Sequence, residues 1–155
     1  MAQTTDYTRL RRMTKIYLVI QIFLVALLIF MGFYFQNALT AEGRSPRFLH
    51  SVLFALAFQL VLFYPIKKFA DKEATREVAS SATDLDFETT KMLRNKRIVG
   101  DVVKSGVFVF FLTFIYKAPK DAFVLSTLFL TFIFTYLSYF QCLNFLIKQA
   151  INKKS

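Results

Sequence analysis

Residues 16–37 run IYLVIQIFLVALLIFMGFYFQN and contain no charged side chain. A helix needs about 20 predominantly apolar residues to cross the ~30 Å hydrocarbon core of a membrane, and this segment is long enough. Three further apolar segments follow at residues 48–66, 98–116 and 122–147. Charged residues are concentrated between these segments. The pattern predicts an all-α membrane protein with four transmembrane helices.

The composition agrees with this prediction. Of the 155 residues, 55% are hydrophobic and 20 are Phe. A soluble domain of this size has too little interior to bury so many large rings, whereas in a bilayer the same rings can face lipid. We therefore expect residues 1–155 to form a single integral membrane domain, with one sizeable aqueous segment at about residues 67–97.

The net charge of +10 would suggest nucleic-acid binding in a soluble protein. Here the basic residues flank apolar segments, which instead indicates contact with anionic lipid headgroups and no nucleic-acid partner. The residues predicted to contact anionic lipid lie in the N-terminal segment and in the aqueous segment: Arg9, Arg11, Arg12, Lys15, Lys91, Arg94, Lys96 and Arg97.

The distribution of Lys and Arg also predicts the orientation. These residues are few in the two short loops and abundant in the N-terminal segment, residues 67–97 and the C-terminal tail. Because cytoplasmic segments carry the excess of Lys and Arg, we expect both termini to be cytoplasmic. No organelle-targeting segment is apparent, so we take a bacterial cytoplasmic (inner) membrane as the location.

The aqueous segment has its own helical signals. Residues 67–78 contain good helix formers, which predicts that the second helix continues beyond the membrane. Thr83 is the predicted N-cap of the third helix, with Asp84, Asp86 and Glu88 in its first turn. The predicted arrangement is a cytoplasmic helical hairpin between the second and third spans.

Polar residues inside the spans are the first candidates for a functional role. Gln59 falls near the middle of the second span, where its amide needs a hydrogen-bonding partner. Small polar residues recur at three- and four-residue intervals along one face of the fourth span: Thr127, Thr131, Thr135 and Ser138. We interpret these residues as a helix-packing or partner-binding surface. The alternative is a permeation path.

A second group of polar residues is predicted at the cytoplasmic ends of the spans: Gln21, Asp101, Lys104, Gln141 and Asn144. Asp101 and Lys104 are three residues apart, so they are neighbours on a helix. The simplest interpretation is that the lysine extends to the headgroups and the acid pairs with it. The group as a whole is alternatively a polar vestibule or the site of a partner helix.

No catalytic, cofactor-binding or metal-ligating residue emerges from the sequence. The single His and the single Cys provide neither a usual zinc site nor a disulfide pair. We expect no cofactor and a non-catalytic role as an accessory, assembly or scaffold subunit of a larger membrane complex. The expected partners are the lipid bilayer and other membrane subunits or further copies of this chain.

Two alternatives to this function are open. One is an oligomeric ion channel or small-solute transporter, with a pore built from Gln59 and the fourth span. The other is a small membrane enzyme that acts on a lipid or phosphate group through Asp101 and Lys104.

The predicted topology is testable with a reporter enzyme that is active only outside the cytoplasm. Fusions at Ser155 and near Ser81 are expected to be inactive, whereas a fusion at Gly43 in the first loop is expected to be active. Activity at Ser155 would require an odd number of spans and would contradict the predicted topology.

Overall fold

The computed structural model describes residues 7–154, which form four α-helices. Helix α1 spans Tyr7–Ala41, α2 Pro46–Ala79, α3 Phe87–Lys117 and α4 Ala122–Lys154. All four are long and apolar enough to cross a membrane. The prediction of an all-helical protein with four potential membrane-spanning helices is therefore confirmed.

The helices are longer than a membrane crossing requires. With 31 to 35 residues and a rise of about 1.5 Å per residue, each is about 45–50 Å long, against ~30 Å for the hydrocarbon core. Most charged residues of the helices lie in the turns beyond the apolar segments, at residues 7–15, 67–79, 87–97 and 148–154. In this antiparallel bundle they lie at one end, which we call the charged end. All four helices, and not α2 and α3 alone, extend into it.

Helix α4 is the centre of the bundle. It packs along both α1 and α2, whereas α3 touches α2 and α4 less extensively, and no Cα atom of α1 lies within 8 Å of one in α3. The main core lies at and next to the charged end and includes Leu10, Ala70, Ala74, Leu143 and Ile147. The two alanines let α1 and α4 approach α2 closely. Among the described residues, α3 adds nothing to this core, so other contacts must hold it.

A glycine-based cap ends α1. Gly43 has φ +69°, a left-handed conformation that glycine adopts without steric cost. The N–H of Arg44 donates to the carbonyl of Leu39 at 2.7 Å, as in a Schellman motif. Pro46 then starts α2, where its missing N–H costs nothing. The first loop is therefore short and well defined.

Helix α3 begins later than the sequence suggested. Asp86 is its N-cap, with φ −70° and ψ 165°, and its Oδ1 accepts a hydrogen bond from the Thr89 N–H at 2.8 Å. Hydrogen bonds with the side chain and the backbone of Thr89 lower the pKa of Asp86. The prediction of Thr83 as N-cap is wrong, because Asp is the stronger N-cap residue and a start at Phe87 leaves Asp84 outside the helix.

Asp121 connects the two short loops at the other end of the bundle. Its Oδ1 accepts from the N–H of Phe123 at 2.8 Å, which caps α4, and its Oδ2 accepts from Arg44 Nη1 at 3.0 Å. The Arg44 hydrogen bond, followed by that from Phe123, lowers the pKa of Asp121. One carboxylate therefore joins the α1–α2 loop to the start of α4.

This pairing predicts a specific pH dependence. A folded pKa below the ordinary value of about 3.9 means that the pair stabilises the fold above that pH, and that this stabilisation disappears as the pH falls through the folded pKa. We expect Asp121→Asn, which retains the capping oxygen, to lower the unfolding temperature in detergent at pH 7. The difference from wild type should close below about pH 4.

The control for this measurement is Asp84→Asn, at an exposed position, which should not differ from wild type at either pH. A difference between Asp121→Asn and wild type that is as large at pH 3 as at pH 7 would show that the charge of Asp121 is not responsible.

Candidate functional site at the charged end

Two buried carboxylates define the candidate site. Glu73 and Glu77 are four residues apart on one face of α2 and are only 3% and 4% exposed. An ionised carboxylate removed from water is strongly destabilising unless cations and hydrogen-bond donors surround it. Their partners are Arg76 of α2 itself and side chains from the other three helices. We call the two glutamates and these partners together the ionic cluster.

Glu77 connects α2 mainly to α3. Arg97 donates from Nε to Glu77 Oε1 at 3.1 Å and from Nη2 to Oε2 at 2.5 Å. This is the bidentate geometry that makes Arg–carboxylate pairs strong and directional. Arg9 of α1 adds a longer contact at 3.5 Å. Glu77 therefore joins three helices.

Glu73 connects α2 to α3 and α4. Lys104 Nζ lies 3.4 Å from Glu73 Oε2, and the hydroxyl of Tyr139 donates to the same carboxylate oxygen. Tyr139 is itself buried, so this contact fixes the position of α4 relative to α2. Each buried carboxylate thus holds α3 against the rest of the bundle.

Arg76 lies between the two glutamates. Its Nη2 donates to Glu73 at 2.7 Å and to Glu77 at 3.3 Å, and its Nη1 donates to the backbone carbonyl of Lys96 at 2.8 Å. Burial alone would lower the pKa of Arg76, but the hydrogen bonds and charges of the two glutamates outweigh it and raise the pKa. Arg76 remains cationic and reaches the backbone of α3.

Helix α3 approaches this cluster at Gly100, which is buried. A Cβ at this position would collide with the carboxylate of Glu73 and would lie 2.7 Å from Arg76 Nη1. Both side chains are held in place by ion pairs, so they have little freedom to move away. The absence of a side chain at residue 100 is therefore a condition for the close approach of α3 to α2.

The structure brings together only part of the predicted cytoplasmic-side cluster. Lys104 pairs with Asp101 at 2.7 Å, and through Glu73 both belong to the ionic cluster. Gln21 instead donates to the backbone carbonyl of Phe140 at 3.2 Å. Gln141 is exposed. Asn144 is buried, and its Oδ1 has no hydrogen-bond partner among the described residues.

Gln59 makes its hydrogen bonds within the chain. Its Nε2 donates to Ser138 Oγ at 2.7 Å, and its Oε1 accepts from Thr135 Oγ1 at 3.5 Å. Thr127 and Thr131 lie on the same helix, and their hydroxyls donate to backbone carbonyls four residues earlier, at 2.9 and 2.7 Å. Such bonds satisfy a hydroxyl without any partner from another helix.

The basic residues predicted to contact lipid fall into two groups. Arg9 and Arg97 contact Glu77 in the ionic cluster. The others are exposed at the charged end: Arg11, Arg12, Lys15, Lys91, Arg94 and Lys96. Only this second group presents its side chains mainly to the surroundings.

An apolar cleft adjoins the ionic cluster. It has a volume of about 440 Å³ and lies among α2, α3 and α4, next to Lys104 and Tyr139. The main apolar side chains that line it are Leu62, Ile66 and Phe69 of α2 and Val103, Val107 and Phe111 of α3. The cleft lies directly beside the place where the ionic cluster holds α3 to α2.

Sequence reasoning missed Glu73, Glu77, Arg76, Gly100 and the cleft. A signal was present: the glutamates are four residues apart on α2, and the cations Arg97 and Lys104 are seven apart on α3, so each pair lies on one helix face. Asp71 and Lys72 lie directly beside these glutamates in the sequence and are exposed. Composition alone therefore did not separate buried from exposed charges.

The chain matches no protein-family model, no curated protein and no solved structure.

The close approach at Gly100 is testable by comparison with Gly106 on the same helix, where a Cβ would have no atom within 4 Å. We expect Gly100→Ala to destabilise the protein by about 1–3 kcal/mol, as overpacking of a filled site does. Gly106→Ala should be neutral or slightly stabilising because alanine is the better helix former. Thermal unfolding of the purified variants in detergent measures both effects, and equal stabilities would contradict the packing described here.

Proposed function

We propose that the chain is a non-catalytic accessory, assembly or scaffold subunit of a larger membrane complex. The ionic cluster is the observation that supports this most strongly. General acid–base catalysis requires a side chain that reaches its substrate, whereas Glu73 and Glu77 are buried and occupied by cations from neighbouring helices. Their chemistry is used to hold helices together.

The surroundings of Gln59 favour the same proposal over a channel. A pore-lining amide would present its polar atoms to a water-filled path, but Gln59 bonds Ser138 and Thr135 of the same chain. These bonds join α2 to α4 in the middle of the membrane. They are more consistent with helix packing than with conduction.

The outer surface offers areas for partner helices. Leu60 and Val61 of α2 are 79% and 75% exposed, and Val102 and Val109 of α3 are also exposed. In a membrane such side chains face lipid or another transmembrane protein. In this proposal the charged end lies on the cytoplasmic side of a bacterial inner membrane, because basic residues accumulate there.

Tryptophan substitution tests for a partner surface, because lipid accommodates an added ring and a packed helix interface does not. We expect mild-detergent purification to recover the chain with at least one other membrane protein. One double variant carries Trp at Leu60 and Val61 of α2, and the other carries Trp at Val102 and Val109 of α3. The variant whose substitutions lie on the partner-binding face should reduce recovery of the partner several-fold. Trp at Val19, which is exposed on α1, is the matched comparison on a third helix.

Ion flux through liposomes that contain only the purified chain tests the alternative that the chain is a channel. Under the proposal, wild type and Gln59→Leu both leave the vesicles impermeable to ions. Reproducible ion flux that disappears in Gln59→Leu would favour the channel and overturn the subunit role. Isolation of the chain without any partner, with no effect of any Trp variant, would also count against it.

A further inference from the structure

The apolar cleft has the dimensions of a small-molecule site. Its volume of about 440 Å³ falls within the ~300–1,000 Å³ of typical ligand pockets. From Leu62 to Phe69 it extends about 10 Å along α2, at 1.5 Å per residue, which is a large part of the ~15 Å depth of one leaflet. A transmembrane helix about 10 Å wide and 30 Å long occupies roughly 2,000 Å³, so the cleft is far too small to accept a helix.

One end of the cleft lies beside the ionic cluster. Lys104 lines the cleft there and is paired with Glu73 and Asp101. An α-helix turns about 100° per residue. Lys72 therefore lies on the same face of α2 as Pro65 and Phe69, which line the cleft, and Lys96 lies on the same face of α3 as Val103. Both lysines are exposed, and neither forms an ion pair with any residue that the structure describes. Beyond the paired Lys104, the cleft-facing sides of α2 and α3 therefore continue to two exposed lysines.

This polarity matches one class of molecule in its surroundings. In the leaflet at the charged end, a phospholipid places its acyl chains toward the membrane centre and its phosphate at the headgroup level. The cleft presents Leu62 and Phe111 at the deep end and Lys104 at the opposite end. The change from apolar to charged groups therefore runs in the same direction in the cleft and in the lipid. Basic residues at the headgroup level attract anionic lipids.

We propose that the cleft binds one anionic phospholipid, with an acyl chain between α2 and α3 and its phosphate at Lys72 and Lys96. Lys104 is occupied by Glu73 and Asp101 and marks the boundary between the apolar and charged parts of the site. The bound chain fills the space that α3 leaves beside α2. This proposal is independent of the subunit role proposed above.

Native mass spectrometry of the purified full-length chain tests this proposal. The protein is delipidated and then titrated with phosphatidylglycerol or with phosphatidylcholine of the same acyl chains. We expect one phosphatidylglycerol to bind at least tenfold more tightly than phosphatidylcholine. Inorganic phosphate at millimolar concentration should not displace it, because the acyl chain supplies much of the binding.

Two pairs of variants separate the roles of the cleft and of the lysines. Val107→Trp fills the cleft and should reduce binding of both lipids at least fivefold, whereas Val109→Trp, on the opposite face of α3, should bind like wild type. Lys72→Gln with Lys96→Gln should remove most of the preference for phosphatidylglycerol. Lys67→Gln with Lys148→Gln makes the same change of charge at exposed positions of α2 and α4 that face away from the cleft, and should leave the preference intact.

The outcomes are distinguishable even if Val107→Trp fails to fold, because the lysine variants alter only exposed side chains. Equal binding of the two lipids by wild type, or equal loss of preference in both double variants, would overturn the proposal in favour of a diffuse basic surface. Displacement of the lipid by inorganic phosphate would indicate a simple anion site. Wild type that binds no lipid, but whose cleft is protected by a co-purified protein, would indicate a protein occupant.

Discussion

The burial of Glu73 and Glu77 is the constraint on which the arrangement of the helices depends. Transfer of two carboxylates from water to a site with almost no exposure is strongly destabilising unless cations and hydrogen-bond donors surround them. One of these groups, Arg76, lies on α2 itself. The others come from α1, α3 and α4: Arg9, Arg97, Lys104 and Tyr139. Any sliding or rotation of α3 would leave a buried charge without its partner, so the cluster determines the register of α3.

This constraint explains why α3 is held differently from the other helices. Helices α1, α2 and α4 share an apolar core at and next to the charged end. Where helices cross a bilayer, burial of apolar surface does not drive them together, because lipid chains are as apolar as the side chains. Helix α3 relies on ion pairs of Arg97 and Lys104 and on aromatic contacts with α4, such as Phe111 with Phe132. The apolar cleft lies beside both sets of contacts.

The parts of the fold that depend on local or periodic signals were predictable from the sequence. Four apolar segments gave the four helices, and the helix formers after residue 66 indicated the extension of α2. Gln59 and the residues at 127–138 stood out because polar side chains are rare inside a span. The start of α3 was misplaced because Thr83, Asp84 and Asp86 are all suitable N-cap residues, and only the register of the folded helix selects Asp86.

The spacing of the charges in the ionic cluster was too weak a signal to identify it, for a reason specific to its position. Glu73 and Glu77 lie outside the apolar segments, in a stretch where a charged residue is normally solvated and therefore uninformative. Their burial follows from Ala70 and Ala74, which bring α2 close to its neighbours on nearly the same helix face, and from Gly100, which lets α3 approach from the other side. A small residue on one helix indicates a buried charge on another only when it is known which helix faces pack together. That packing depends on the whole bundle and cannot be inferred from any single segment.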